Sequence, residues 1–184
     1  AHVALAATRY LGIGLSLTVH GTADFDHPAG PLLPAKIRAS TFVACASKFG
    51  MAQAMRVTST DQWHKLCVVR CGVELEKLPA RSTRMQADPL RIICVGRLSP
   101  EKGQLGLLEA FALARRRGLD AELVLVGDGP DRAAIEARIA AAGLQAHVRM
   151  LGYVPEAHTL EETGRSDLLV LASFMEGLPV VLME

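Results

Sequence analysis

Two stretches of the chain carry residue types that can do chemistry. One is Leu171-Ala-Ser-Phe-Met-Glu-Gly-Leu-Pro-Val-Val-Leu-Met-Glu184, in which Glu176 and Glu184 bracket a Gly-Leu-Pro turn. If a helix starts at Pro179, the N–H groups of Gly177 and Leu178 face outward and favour an anion. Glu184 then lies about one and a half turns into that helix, so two carboxylates of one element face one cleft at different depths. An acidic residue near a helix N-terminus is also favoured by the macrodipole in any protein, and either reading fits each glutamate alone. The other stretch is Arg91-Ile-Ile-Cys-Val-Gly-Arg-Leu-Ser-Pro-Glu-Lys-Gly103. Arg97 and Lys102 put two fixed cations in one loop ahead of a helix. That suits a diphosphate, because Arg forks to two oxygens while Lys acts as a point charge. A solvated loop with an internal Arg–Glu–Lys cluster is the plain alternative. The loop is not a Walker A motif, since the glycine spacing and the Ser/Thr after Lys are absent.

Strands alternating with helices must present both stretches. In the second half, apolar runs predict strands at Leu90–Val95, Ala121–Val126, Val148–Leu151 and Leu168–Ala172, the last buried on both faces. Helices fall near 104–117, 131–142 and 156–164. In the first half a helix over 3–11 leads to strands at Leu15–Val19, Thr41–Ala46 and Leu66–Cys71, with helices near 31–39 and from Lys48. This alternation argues α/β domains with parallel sheets, whose ligands bind outside the carboxyl ends of the strands. Residues 76–89 are polar, hold two prolines and read as a linker between domains at 1–75 and 90–184. Both domains read as incomplete. The chain opens in mid-helix without Met, and four strands follow the linker where a complete doubly wound domain often has six.

Weaker signals have bland readings. His20 ends a strand, where histidine is often structural. Asp24 and Asp26 form an Asp-x-Asp that could tempt one toward a metal, but Asp is a turn residue by default, and no metal site is assigned. Gly127 and Gly129 permit a tight turn before the helix at Asp131. Gly152-Tyr153-Val154 reads as a strand-to-helix turn, and Asp167 as a cap or turn residue. Gly12-x-Gly14 precedes a strand, lacks a third glycine and fails as a dinucleotide fingerprint. Cys45, Cys67, Cys71 and Cys94 lack zinc spacing and read as reduced core thiols of a cytoplasmic protein. A net charge of +1 gives no electrostatic case for nucleic acid. No apolar run reaches the length of a membrane span.

Taken together, Glu-x7-Glu around Gly-Leu-Pro, the Gly-Arg-Leu-Ser-Pro-Glu-Lys-Gly loop, Val-Gly-Asp-Gly-Pro and Gly-Tyr-Val resemble, in order, the motifs of the GT4 retaining glycosyltransferases. The resemblance covers nearly all of the second half and is looser over the first. It implies the GT-B fold, two Rossmann-like domains, and transfer of a sugar from a nucleotide-diphosphate sugar to an acceptor hydroxyl with retention, independent of metal and without a cofactor. By the same resemblance Arg97 and Lys102, with Gly177 and Leu178, hold the donor diphosphate. Gly152, Tyr153 and Val154 cup the base through their backbone, and Glu184 takes the ribose hydroxyls. Glu176 contacts the donor sugar near the reacting carbon, and His20 lines the sugar and acceptor side. The acceptor is a glycan, a glycolipid or another hydroxyl compound, and such enzymes are often peripheral on the inner face of a membrane. The isolated fragment is expected to be inactive. A sugar-nucleotide epimerase of the same fold and a non-catalytic nucleotide-binding module stay open beside this reading.

Overall fold

The computed structural model describes residues 2–21, 24–25, 32–78 and 89–184. The chain forms two compact units, one from residues 1–73 with 176–183, the other from 74–175 with Glu184. Of the expected linker, 79–88 lie outside the described residues, as do Asp26 and Pro31. Residues 75–77 form a single 3-10 turn.

The first unit holds helix α1 (His2–Leu11), strand β1 (Ser16–Val19), α2 (Leu33–Ala39), β2 (Phe42–Cys45), α3 (Lys48–Val57) and β3 (Leu66–Val68). Its three strands are parallel in the order β1-β2-β3. Val19, Val43, Cys45 and Leu66 pack against Leu33 and Ile37 of α2 and Ala54 of α3. The Ser47 hydroxyl caps α3 by accepting from the Gly50 N–H at 3.1 Å. A 3-10 stretch at Thr60–Lys65, not foreseen in the sequence, precedes β3. Its Trp63 ring N–H donates to the Met55 carbonyl. Cys45 is in the core, but Cys67 is exposed and Cys71 half-buried, so the reading of all four cysteines as core residues is corrected. β3 turns Cys67 away from the cluster that Leu66 joins.

The second unit runs β4 (Leu90–Val95), α4 (Gln104–Arg116), β5 (Ala121–Val126), α5 (Arg132–Ala141), β6 (Val148–Gly152), α6 (Glu156–Gly164) and β7 (Leu168–Leu169). The sheet is parallel in the order β6-β5-β4-β7. Counted within the unit this is 3-2-1-4, the doubly wound order, with the reversal between β4 and β7. The apolar runs at 92–95 and 123–126 make the central strands, which meet an apolar cluster on each face. Ile92, Cys94, Leu123 and Leu125 face one cluster with Leu108, Phe111 and Ile135. Ile93, Val124 and Val126 face the other, with Val154.

Two expectations fail here. The run Leu168–Ala172 pairs as a strand only over Leu168–Leu169, with one further bond from the Val170 N–H to the Ile93 carbonyl at 2.8 Å. β7 is an edge strand and Leu168 is 47% exposed, so it is not buried on both faces. No α-helix starts at Pro179: Val180–Leu182 form one 3-10 turn, with Pro179 as its cap in extended backbone. Glu184 follows that turn instead of standing inside a helix.

Candidate functional site

At the carboxyl edge of the second unit's sheet, backbone bonds lash the strand ends together. The Gly96 N–H donates to the Val126 carbonyl at 2.9 Å and the Gly127 N–H to the Gly152 carbonyl at 2.8 Å. Beyond β4 the chain sends Arg97 outward and Leu98 into the core, where it is 1% exposed. The Leu98 N–H donates to the Asp128 carbonyl at 3.0 Å, and the Leu98 carbonyl accepts from the Asp131 N–H at 3.1 Å. A 3-10 turn, Pro100–Lys102, carries Glu101 and half-buried Lys102, and Gly103 then opens α4.

Gly103 is where the sequence must be glycine. Its φ is +67° and a Cβ there would collide with the Ala172 carbonyl. The Phe174 N–H donates to the Glu101 carbonyl at 2.9 Å. The segment after β7 therefore seals the far side of the loop after β4, at the point where strand order reverses. Hydrogen bonding from Ser99, at 2.7 Å, is the main cause holding the Glu101 carboxyl below its ordinary range, followed by its own N–H; Arg97 and Lys102 add smaller pulls. Glu101 thus stays an anion beside both cations. Burial pushes the Cys94 thiol up to about 11, a shift that Lys102 opposes.

Beside this loop lies a pocket of about 280 Å³, lined by Gly96, Arg97, Gly127, Asp128, Tyr153, Val154 and Thr159 among others. Its lining includes Arg97, which the resemblance gives to the diphosphate, and Tyr153 and Val154, which it gives to the base. Tyr153 is 83% exposed at its rim. Asp128, Thr159 and Gln104 were missed. Asp128 lies inside a quoted motif but drew no role. Its carboxylate accepts from Gly129 N–H and from Arg132, which also reaches Glu136. Gln104 left a readable signal: a polar residue on the stripe that Leu108, Phe111 and Ala112 bury.

Glu184, also of the second unit, is half-buried. Desolvation, then the nearby charge of Glu156, pushes its carboxyl above the ordinary range.

The remaining assigned residues group with the first unit. His20 is exposed at the end of β1. Its N–H and that of Gly21 both donate to the Asp24 carboxylate, at 2.8 and 3.1 Å, so Asp24 is the turn residue its type suggests. Gly177 packs directly on this turn, and a Cβ on it would collide with the His20 carbonyl. The structure thus joins His20 and Gly177 through backbone. Glu176 and Leu178 flank that contact, both half-buried. Among the described residues no cluster of His, Cys, Asp or Glu could hold a metal.

The profile of the family described as Glycosyl transferases group 1 matches residues 80–184, more than half of the chain. The chain belongs to that family. Among curated relatives, the amylovoran biosynthesis glycosyltransferase AmsK of Erwinia amylovora is 32% identical over 126 residues, covering 65% of this chain and 31% of its own length. The 2-deoxystreptamine glucosyltransferase of Streptomyces kanamyceticus is 28% identical over 193 residues, 94% of this chain and 50% of that protein. Among solved structures, Anabaena Alr3699/HepE in complex with UDP and glucose superposes with a TM-score of 0.75 at 18% identity, over 94% of this chain and 50% of that one. This likeness carries the Rossmann-like fold. The chain spans between 31% and 50% of these proteins.

Proposed function

We propose that this group 1 chain is part of a glycosyltransferase that moves a sugar from a nucleotide-diphosphate sugar to an acceptor hydroxyl, with retention and without a metal. One observation carries the reading. The Arg97–Gly103 loop sets two cations and the start of a 13-residue helix at the strand-order reversal between β4 and β7. When the donor's glycosidic bond breaks, the electron pair leaves with the diphosphate, and catalysis lies in stabilising that charge as it forms. Arg97 forks to two phosphate oxygens, Lys102 adds a point charge, and the N-terminus of α4 contributes its dipole. Together they take the charge-neutralising part that a metal ion plays in other phosphate sites.

The pocket beside Arg97 then receives the base against Tyr153 and Val154, and Glu184 accepts from the ribose hydroxyls. Glu176 orients the donor sugar near the reacting carbon, and His20 lines the sugar and acceptor side. HepE is described with UDP and glucose, and AmsK is a biosynthetic enzyme for amylovoran. A uridine-diphosphate hexose and a glycan or glycolipid acceptor are therefore the first pair to test. We place the reaction on the cytoplasmic side, at the membrane's inner face where the acceptor is lipid-linked. Four free cysteines support a reducing compartment. Among the described residues no helix is long and apolar enough to cross a membrane.

The test is calorimetric titration of the complete protein with UDP, GDP and ADP, with and without EDTA. Binding that survives EDTA and disappears in Arg97→Ala supports a metal-free diphosphate site and identifies the base. Binding abolished by EDTA overturns metal independence, and binding of none of the three overturns the donor assignment. Product analysis completes the test. The reading requires a new glycosidic bond with the donor's anomeric configuration, and an altered sugar still on its nucleotide would sink it.

A further inference from the structure

Gln104 is the first residue of α4 and is only 2% exposed, on the same face as Leu108, Phe111 and Ala112. Its side-chain Nε2 donates to the carbonyl of Arg97 at 2.8 Å. A carbonyl can only accept, so the amide nitrogen must face it, and this fixes the orientation of the group. The other end of the amide, Oε1, is buried and meets no donor among the described residues. An orphaned buried acceptor is destabilising, and a Met or Leu of similar size would fill the space without it. What neither could do is hold the Arg97 carbonyl.

That carbonyl belongs to the Arg97–Leu98 peptide, which is a rigid plane. Gln104 holds its C=O, while the Asp128 carbonyl holds its N–H at 3.0 Å. A plane gripped at both ends fixes the backbone from which the Arg97 side chain departs. Leu98, sunk in the core, prevents the loop from rolling. An exposed Arg side chain otherwise samples many directions, and ordering it on binding costs affinity.

We infer that Gln104 is a positioning residue for the donor diphosphate, locking the Arg97–Leu98 peptide so that the guanidinium is presented to the phosphates before they arrive. The inference rests on the diphosphate reading proposed above. It makes Gln104 act through Arg97, with no ligand contact of its own.

The experiment is a double-mutant cycle in the complete protein, reading affinity for inorganic pyrophosphate and for UDP by calorimetry and folding by thermal melts. Gln104→Met is expected to bind both ligands about three- to tenfold more weakly, the loss of one hydrogen bond's worth of preorganisation. Its melting midpoint should stay close to that of the parent, because losing the orphaned acceptor offsets losing the bond to the Arg97 carbonyl. Adding Gln104→Met to Arg97→Ala should then cost nothing further, so that the double variant binds like Arg97→Ala alone. Should Gln104→Met fail to fold, Gln104→Glu supplies the test. An ionised carboxylate faces the Arg97 carbonyl without a proton to give, whereas its protonated form donates. Affinity of Gln104→Glu relative to the parent should therefore rise as pH falls from about 8 to about 6. Parent-like pyrophosphate binding in Gln104→Met, while Arg97→Ala loses it, overturns the inference and leaves the diphosphate site standing. Additive losses, or a pH-independent ratio for Gln104→Glu, overturn it equally. A parent protein that binds neither ligand removes the diphosphate reading itself.

Discussion

At the scale of single residues, Gly103 and Glu184 pull stability and function in opposite directions. Gly103→Ala forces an L side chain to φ +67° and drives its Cβ into the Ala172 carbonyl. We expect a loss of about 2–4 kcal/mol in urea denaturation, from the left-handed backbone and overpacking together. Nucleotide binding should go with it, because Ala172 moves only by releasing the loop. Glu184 is the reverse case. Its folded carboxyl lies above the ordinary range because of burial first and Glu156 second. The folded state thus favours the protonated form: this group's contribution to stability is complete below the unfolded carboxyl range and is lost as pH rises through the raised value. At neutral pH the ionised carboxylate destabilises the fold. Glu184→Gln should therefore raise the melting midpoint at pH 7–8, with the gain fading as the pH is lowered to about 4. The same substitution should weaken UDP binding by about tenfold, as expected when a charged acceptor to a diol is removed. A residue that costs stability and contributes affinity is in place for its ligand. Unchanged UDP affinity in Glu184→Gln would end the ribose assignment.

At the scale of elements, α6 is held by a polar clamp that periodicity does not reveal. Glu162 is 4% exposed and pairs with Arg91 of β4, Arg149 of β6 and Arg165. The Asp167 carboxylate accepts from the Arg91 N–H at 2.8 Å, which gives that turn residue a definite role. Glu162→Gln leaves three guanidinium groups gathered around a neutral amide. It should cost about 3 kcal/mol in urea denaturation, the low end for breaking a buried ion pair; a cost below about 1 kcal/mol would show that Arg149 and Arg165 rearrange into solvent. The clamp also shows why parts of this fold are legible and others are not. β4, β5 and α4 can be read directly, because unbroken apolar runs and a Leu108–Phe111–Ala112 stripe are local patterns with one solution. β7 misleads for the same reason. Its run is as apolar as that of β4, yet it lies at the edge of the sheet, and beyond Val170 the chain passes Gly103, against which the Ala172 carbonyl lies. The stretch after Pro179 forms only a 3-10 turn over Val180–Leu182, and just before it Gly177 packs on the His20 turn, a contact more than 150 residues apart in sequence. Arg97 and Lys102 stand out in the sequence because two cations in one loop are a local pattern, and the phosphate role proposed for them starts from that pattern. Gln104 shows only as a polar residue on an apolar stripe, and its partner, the Arg97 carbonyl, cannot be read from residue types.

At the scale of the whole molecule, each unit has its own core, and the two differ in size. The first rests on a three-stranded sheet with strands of three or four residues. The second has two apolar clusters, one on each face of a four-stranded sheet. More apolar area removed from water means more stabilisation, at about 25 cal/mol per Å². The first unit should therefore open at lower denaturant. Its own cysteines report this. Cys67 is exposed and should react with iodoacetamide in the native state, whereas Cys45 and Cys94 are buried with raised thiol pKa values, Cys94 at about 11. At pH 8 neither buried thiol offers appreciable thiolate until its unit opens. Along a urea series, mass spectrometry of labelled peptides should show Cys67 modified first, Cys45 next and Cys94 last. A nucleoside diphosphate at a hundred times its dissociation constant stabilises whatever binds it by about 2.7 kcal/mol. If Arg97, Lys102 and Glu184 of the second unit hold the ligand, it must delay Cys94 more than Cys45. Equal delay of both would mean that the two cores open as one. Delay of Cys45 alone would move the nucleotide to the first unit and overturn the assignment of its site.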